Sequence, residues 1–592
     1  MLDGRIYRTG LVVVALAALV AAFSFSDQPS ALPSTLAPDA FNGQNVFGTM
    51  SRLSKLYPAR APGSAADYDL ATSMASAFGH DGYTVAKDTF SGQTASGPRT
   101  LENVIATRPG IQSASIVIVA ARDARGSPAT AALSGTATEL ELARDLAGET
   151  LHRTIVLVST SGSEGTAGAL RLASTLKGPV DAVIVLGDLT SAHPRQPIVV
   201  PWSGAQVVAP PLLRNTLGAQ LSQQAAMTTT GTGLFGQFAR LAFPLSISAQ
   251  APFGAQRIPA VALSLSGERG ASAKAPLAGP DQLNSVGRSV LATISALDSG
   301  PRIPAPSAYL IFSGKQVPKW AVSLLILALI VPVAMTTIDG LARARRHGQR
   351  VGRWLVVVLA AAAPFLLAAL FLLAARVVGA ISIAPPGPLP AAAVVPHAGA
   401  VLILIAAAAV ALGSFAVLRP TSLRFAAGRG PRKRILTEHH EGIVAAVLLV
   451  MCAVTVAIWL ANPFAALLAV PALHLWLAAV SPDLRLHVPI RLGLLALGLA
   501  PIAALVIYYG VTLGYGPLEL VWSAVLLLAG HAVGLLAVLE WSVFLGCGVV
   551  VTSVLLLASR QPRPEQAPVT VRGPISYAGP GSLGGTESAL RR

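Results

Sequence analysis

Three carboxylates stand where an α/β sheet would gather chemistry. Asp123 follows the apolar run 115–121 in "RDARG", Glu164 follows 154–160 in "SGSEGTAG", and Asp188 follows 181–187 in "LGDLTS". Open α/β sheets bind ligands beyond the carboxyl ends of their strands, so three acids at three such ends would share one crevice. There they could hold a cation or move protons. The plainer reading of the same spacing is three loop acids that accept hydrogen bonds from nearby amides or face water.

Other groups invite a chemical reading. His397, His474, His531 and Glu540 lie in or near apolar stretches, where ionisable side chains point to transport or proton relay. His397 and Glu540 fall at the expected ends of spans, where polar residues cost little. "RGPRKR" at 429–434 could meet nucleic acid or anionic lipid, but it reads more simply as a cytoplasmic topology signal. "GTGLFGQFAR" at 231–240 is rich in glycine yet lacks the Lys-Ser/Thr of a phosphate loop, and reads as a loop covering the crevice.

The elements that must position these residues follow from periodicity. Continuous apolar runs such as "SIVIVAA" and "TIVLVST" suit strands buried on both faces. Strands are expected at 101–107, 115–121, 154–160, 181–187, 197–208 and 259–265. Helices are expected at 65–78, 135–146, 167–176, 211–223 and 282–297. Their alternation predicts an α/β fold, a mostly parallel mixed sheet sandwiched by helices.

Composition sets the frame around that domain. Of 592 residues 53% are hydrophobic and 12% charged, and mean hydropathy is +0.63. Ordinary soluble chains carry roughly 25% charged residues, so a simple soluble enzyme is excluded. The formal charge is +16, and 36 of the 43 basic side chains are arginine. Cys452 and Cys547 both lie in apolar runs, so the polar half has no disulfide and no cysteine metal site. Arg5 and Arg8 precede an apolar run that reads as an anchor or signal over 1–28. A linker follows at 29–45, an extracytoplasmic domain at 46–300 and a second linker at 301–317. An α-helical transmembrane bundle of eight spans then occupies 318–559, with a disordered tail at 560–592. The spans are expected near 319–338, 354–376, 398–418, 443–461, 464–480, 492–509, 518–537 and 541–558, nine with the anchor. Arginines crowd the loops after the first and third of these spans and are missing from the loop between, which puts the domain outside. An even number of spans after the domain also leaves the tail outside, against its five arginines.

Six segments of residues 47–297 resemble, in order and spacing, the zinc exopeptidases of metallopeptidase family twenty-eight, which include bacterial leucyl aminopeptidases. They are "YPARAPGSAADYDLATSMASAFGHDGYTV", "ENVIATRPG", "SIVIVAARDARG", "LSGTATELELARDL", "RTIVLVSTSGSEG" and "SISAQAPFGAQRIPAVAL". The resemblance implies a zinc-exopeptidase-like fold and a two-zinc site, in which two His, a bridging Asp, a Glu and a second Asp hold the metals and a neighbouring Glu activates water. At the matching positions this chain carries Ala121 for the first His, Ala131 for the bridging Asp, Ser163 for the general base and Gln250 for the last His, with Ala249 before it. Glu164 and Asp188 match ligands, and Asp123 matches the acid two residues after the first His. His80, His152 and His193 are the imidazoles that could refill such a site.

The resemblance with a broken ligand set implies a degenerate, membrane-bound member that keeps the shape and has lost the catalysis. A binding or scaffold role in the cell envelope follows, with Asp123, Glu164 and Asp188 left to bind in the crevice. Layout alone is similar to the peptidase-like subunit of GPI transamidase. Two alternatives stay open: an active metallo-aminopeptidase with a rearranged site, and a transporter whose domain captures substrate. No cofactor is expected, or zinc if the site is active. Expected partners are membrane lipid and a peptide or envelope protein, with no nucleic acid. The expected location is the bacterial plasma membrane, multi-pass, with the large domain extracytoplasmic.

Overall fold

The computed structural model describes residues 4–34, 38–124, 130–270, 276–381, 384–427, 440–481, 484 and 486–558. The basic run 429–434 and the tail 560–592 lie outside the described residues.

A seven-stranded mixed sheet forms the α/β half. In chain order, β1 (Ser26–Asp27) belongs to a small separate sheet. It is followed by β2 (Thr84–Thr94), β3 (Gly97–Arg108), β4 (Gln112–Ala121), β5 (Arg153–Thr160), β6 (Val180–Leu186), β7 (Val199–Val200) and β8 (Ala260–Leu263). The spatial order is β2-β3-β5-β4-β6-β8-β7, with β5, β4, β6 and β8 parallel and the other neighbours antiparallel. Side chains alternate across the sheet with period two. Ile116, Ile118, Ile184 and Leu186 face one way, among helices α2 (Gly43–Leu56), α3 (Ala65–His80), α4 (Ser134–Ala147), α6 (Pro211–Ala225) and α9 (Pro280–Ser299). Val117, Val119, Val183 and Val185 face the other way, into a core continuous with the membrane-type helices. Because both faces are covered, each strand reads as an unbroken apolar run.

Differences from the sequence expectation sit where periodicity is weak. The expected strand 197–208 is only two residues long. The edge strand β2 went unseen because its half-exposed residues alternate with polar ones. Helix α2 also went unseen. Asn42 caps it, accepting from the amides of Gln44 and Asn45. The segment expected to cover the crevice as a loop contains helix α7 (Leu234–Ala242). Two further strands, β9 (Tyr309–Phe312) and β10 (Lys315–Pro318), form a hairpin in the second linker, and β10 pairs with β1.

Among the described residues eight helices are long and apolar enough to cross a membrane. They are α1 (Gly4–Ala22), α10 (Lys319–Arg346), α11 (Val351–Val377), α12 (Ala398–Ala427), α13 (His440–Ala461), α14 (Pro463–Val480), α15 (Val488–Leu513) and α17 (Leu535–Ala558). Nine were expected. The missing one, near 518–537, is instead the thirteen-residue helix α16 (Pro517–Ala529), which stops at Gly530. A Cβ on Gly530 would lie 2.1 Å from the carbonyl oxygen of Pro385, so the close approach of that loop requires glycine here. Helix α1 packs on α10, where a Cβ on Gly10 would lie 2.5 Å from Pro332 Cα. Tyr7 Oη meets His474 Nδ1 at 2.7 Å, and the other ring nitrogen of His474 lies 3.0 Å from the Leu329 carbonyl.

Candidate functional site

The carboxyl ends of β4 and β5 are built on a buried ion pair that sequence reading overlooked. Arg122 Nε lies 2.9 Å from Asp67 Oδ1, and neither side chain reaches solvent. The Arg122 guanidinium also donates to the carbonyls of Ser159 and Glu102, at 3.0 and 2.6 Å. Asp67 accepts from the Gly63 amide at 2.9 Å and from Ser161 Oγ at 2.5 Å. Arg60 donates to the Arg122 carbonyl at 2.7 Å, and burial lowers its pKa to about 10, against the pull of Asp123 and Asp67. These bonds lock the start of three loops together. The signal for them was Arg60 and Asp67, before and in the first turn of α3, and Arg122 in the loop after β4, which chain order leaves 55 residues from Asp67.

On this platform Asp123 meets Ser163. The Ser163 amide donates to both carboxylate oxygens at 3.1 and 3.0 Å, and Ser163 Oγ donates to Oδ2 at 2.8 Å. Burial raises the Asp123 pKa to about 6 and nearby Asp67 adds to this, while the Ser163 bonds work the other way. Glu164 follows on the same turn and is half-buried. Asp188 is buried at the end of β6. Its Oδ1 accepts from the Thr190 amide at 2.8 Å and from Thr190 Oγ1 at 2.7 Å, and its Oδ2 accepts from Ser266 Oγ.

The alanines stand close to the same strand ends. Ala121 ends β4, and its carbonyl accepts from Thr136 Oγ1 at 3.1 Å. Ala131 lies in the turn entering α4, where Ser134 Oγ donates to its carbonyl and accepts from the Leu189 amide at 2.9 Å, one residue beyond Asp188. Gln250 is buried at the start of helix α8 (Ala251–Ala255). Its Nε2 donates to the Trp202 carbonyl at 2.8 Å and to Ser246 Oγ at 3.1 Å. Ser246 in turn donates to Glu268 at 2.7 Å. Side chain–main chain bonds thus occupy the positions at which the resemblance expects metal donors.

Zinc does not fit this set. Alanine offers no donor atom, and the Asp188 oxygens are taken by a backbone amide and two hydroxyls. Gln250 presents its amide nitrogen to a carbonyl. Among the described residues no group of three or more His, Cys, Asp and Glu side chains is arranged around a common point that could hold a metal. The imidazoles do not gather there either. His152 sits at the amino end of β5 beside Asp298, 3.3 Å away, while His80 and His193 are exposed.

The mouth of the crevice faces the membrane-type helices. Gly165, next to Glu164, lies against the loop between α11 and α12, and a Cβ there would stand 3.3 Å from Pro385 Cβ. After β8, Arg269 donates to the carbonyls of Val511 and Thr512 at the end of α15. Asn462, between α13 and α14, donates to the carbonyls of Leu241 and Ala242 in α7, at 2.9 and 3.0 Å.

Fold and site together define a class: a mostly parallel mixed α/β domain joined to a bundle of long apolar helices. No family model matches the sequence, and no curated protein does. Among solved structures, the chain is similar to the zinc aminopeptidase BSAP of Bacillus subtilis, with 11% identity and a TM-score of 0.35 over 43% of this chain and 94% of that one. It is also similar to glutaminyl cyclase of Porphyromonas gingivalis, with 17% identity and a TM-score of 0.33 over 43% of this chain and 98% of that one. For the LapA aminopeptidase of Legionella pneumophila the values are 18% and 0.35, over 45% of this chain and 74% of that one.

Proposed function

We propose that this is a multi-pass membrane protein of the bacterial cell envelope whose exopeptidase-like domain no longer hydrolyses peptides and serves in binding or scaffolding. One observation carries the reading. Alanine stands at positions 121 and 131, where the resemblance expects metal donors, while Ser163 Oγ donates to Asp123 Oδ2 and Gln250 Nε2 donates to the Trp202 carbonyl and to Ser246 Oγ. Ser163 Oγ and the Ser163 amide both donate to Asp123, so the hydroxyl at the general-base position holds the turn and supplies no carboxylate to accept a proton from water.

The orientation belongs to the same proposal. With eight spans, the loops that touch the domain, around Leu389, Asn462 and Thr512, all fall on one side. The arginine-rich connections after α10 and α12 fall on the other. The tail after α17 then joins the arginine-rich side. Packing of α1 against α10 supports a retained anchor.

The test is metal analysis and an aminopeptidase assay on the full-length protein in detergent, because α7 is docked on the membrane helices. Less than a tenth of an equivalent of zinc, and no release of amino acids from peptides, is expected. Two equivalents of retained zinc with turnover abolished by Glu164→Gln would overturn the reading.

A further inference from the structure

Two adjoining cavities, of about 510 and about 610 Å³, lie where the domain rests on α15, and Trp202, whose carbonyl accepts from Gln250, lines both. They share the wall formed by Pro197, Trp202, Thr230, Gly231 and Thr232. The second is closed on the membrane side by Tyr508, Val511 and Thr512, and on the domain side by Arg195, Glu268 and Arg269.

The polar groups there are matched to an anion. Trp202 is 6% exposed, and its indole Nε1–H has no hydrogen-bond partner among the described residues, although it lines both cavities. An indole N–H only donates, so a buried one without a partner calls for an acceptor. The Arg195 guanidinium is exposed at the cavity and makes no ion pair among the described residues. Two threonine hydroxyls, from Thr230 and Thr232, complete the wall. The carboxylate in the cavity does not oppose an anion, because Glu268 is neutralised by Arg240.

The apolar surroundings continue downward. On α15, Ile507 and Val511 are each 65% exposed, and little of this helix is covered by the rest of the chain. Phe235, also exposed, stands 6.1 Å from Tyr508 across the cavity's edge. Trp320 and Phe312 are exposed near the same junction, where α10 begins. Aromatic side chains gather at membrane interfaces in this way. A cationic, donor-lined cavity directly above a lipid-facing helix therefore fits a molecule with an anionic head and apolar tails.

We propose that this junction binds one anionic glycerophospholipid from the leaflet on the domain's side. Its phosphate lies against Arg195 and the Trp202 indole N–H, and its acyl chains run along Ile507 and Val511. Charge-assisted bonds from a guanidinium select phosphate, and the exposed apolar face of α15 selects a lipid over a soluble anion.

Native mass spectrometry of the full-length protein in detergent tests this, with phosphatidylglycerol and phosphatidylcholine as probes. One phosphatidylglycerol is expected to stay bound at least fivefold more tightly than phosphatidylcholine. Arg195→Gln should lower phosphatidylglycerol binding about tenfold and Trp202→Phe severalfold, while Arg99→Gln, on an exposed strand, changes nothing. Val511→Gln should weaken both lipids. Equal retention of the two lipids, or an Arg195→Gln protein that behaves like Arg99→Gln, would overturn the proposal. So would displacement by millimolar inorganic phosphate as effective as by lipid, since that marks a free-anion site. Binding in micelles is independent of which way the domain faces and of any peptidase activity, so it stands or falls apart from the functional reading above.

Discussion

The Arg240 guanidinium and the Glu268 carboxylate pair at the wall of the second cavity, each side chain 1% exposed, with Nη1 3.1 Å from Oε1. Arg240 Nε also donates to Tyr508 Oη at 3.2 Å, and the cation lies 5.3 Å from the Tyr509 ring centroid. Burial alone would lower the Arg240 pKa, but Glu268 and the two tyrosines hold it above its ordinary value. One ion pair thus ties α7, the loop after β8 and α15 into a single joint.

Breaking this pair strands a buried charge. Arg240→Gln or Glu268→Gln is expected to destabilise the joint by about 3–5 kcal/mol. The double variant Arg240→Met with Glu268→Gln should recover part of that loss, because no charge is left uncompensated. Thermal unfolding in detergent, with limited proteolysis at 227–245, reads the effect. Single variants as stable as the parent would show that the pair is not what holds the halves together.

Asp123 gives stability a pH dependence of known sign. Its folded-state pKa is raised to about 6, above the roughly 3.9 of an unfolded aspartate. The folded state therefore binds more protons between these values, and stability falls as pH rises from about 4 through about 6. The contribution is at most about 3 kcal/mol. Melting temperature should rise when pH drops from about 7 to about 5, and Asp123→Asn should shrink that rise while keeping the Ser163 amide bond. An unchanged pH profile in the variant would refute the assignment.

Restoring donors is expected to restore metal affinity without a change of fold. Replacing Ala121 by His, Ala131 by Asp, Ser163 by Glu and Gln250 by His in one protein returns four groups to the crevice. Zinc content should rise from below a tenth of an equivalent to about one or more, because tetrahedral sites need about four nitrogen or oxygen donors. A folded variant still free of zinc would mean that the four positions do not converge.

Topology is testable by labelling. Cys452 and Cys547 are buried, so introduced cysteines report cleanly. Gln256→Cys in the domain should react with an impermeant maleimide on intact cells. Ser576→Cys in the tail should react only after permeabilisation, as eight crossings require. Labelling of both from outside would restore the ninth span.

How much was legible in advance differs from element to element. β4, β5, β6 and β8 announced themselves because burial on both faces makes each an uninterrupted apolar run. That Ala121 and Ala131 carry no donor side chain is a property of residue type and needs no structure. The bonds that fill the crevice were not legible. Asp67 and Arg122 are 55 residues apart, and Gln250 and Trp202 are 48 apart, and no local pattern encodes such pairings.

Sequence by itself determined the two-part character of this protein, because hydropathy and period-two or period-3.6 patterning act over a few neighbouring residues. Tertiary structure alone decided that Gly530, at the end of α16, meets Pro385, 145 residues earlier in the chain. It decided too that Arg240 finds Glu268 and Tyr508. Those outcomes depend on which surfaces can be buried together once the chain has folded back, which residue types and spacing leave open.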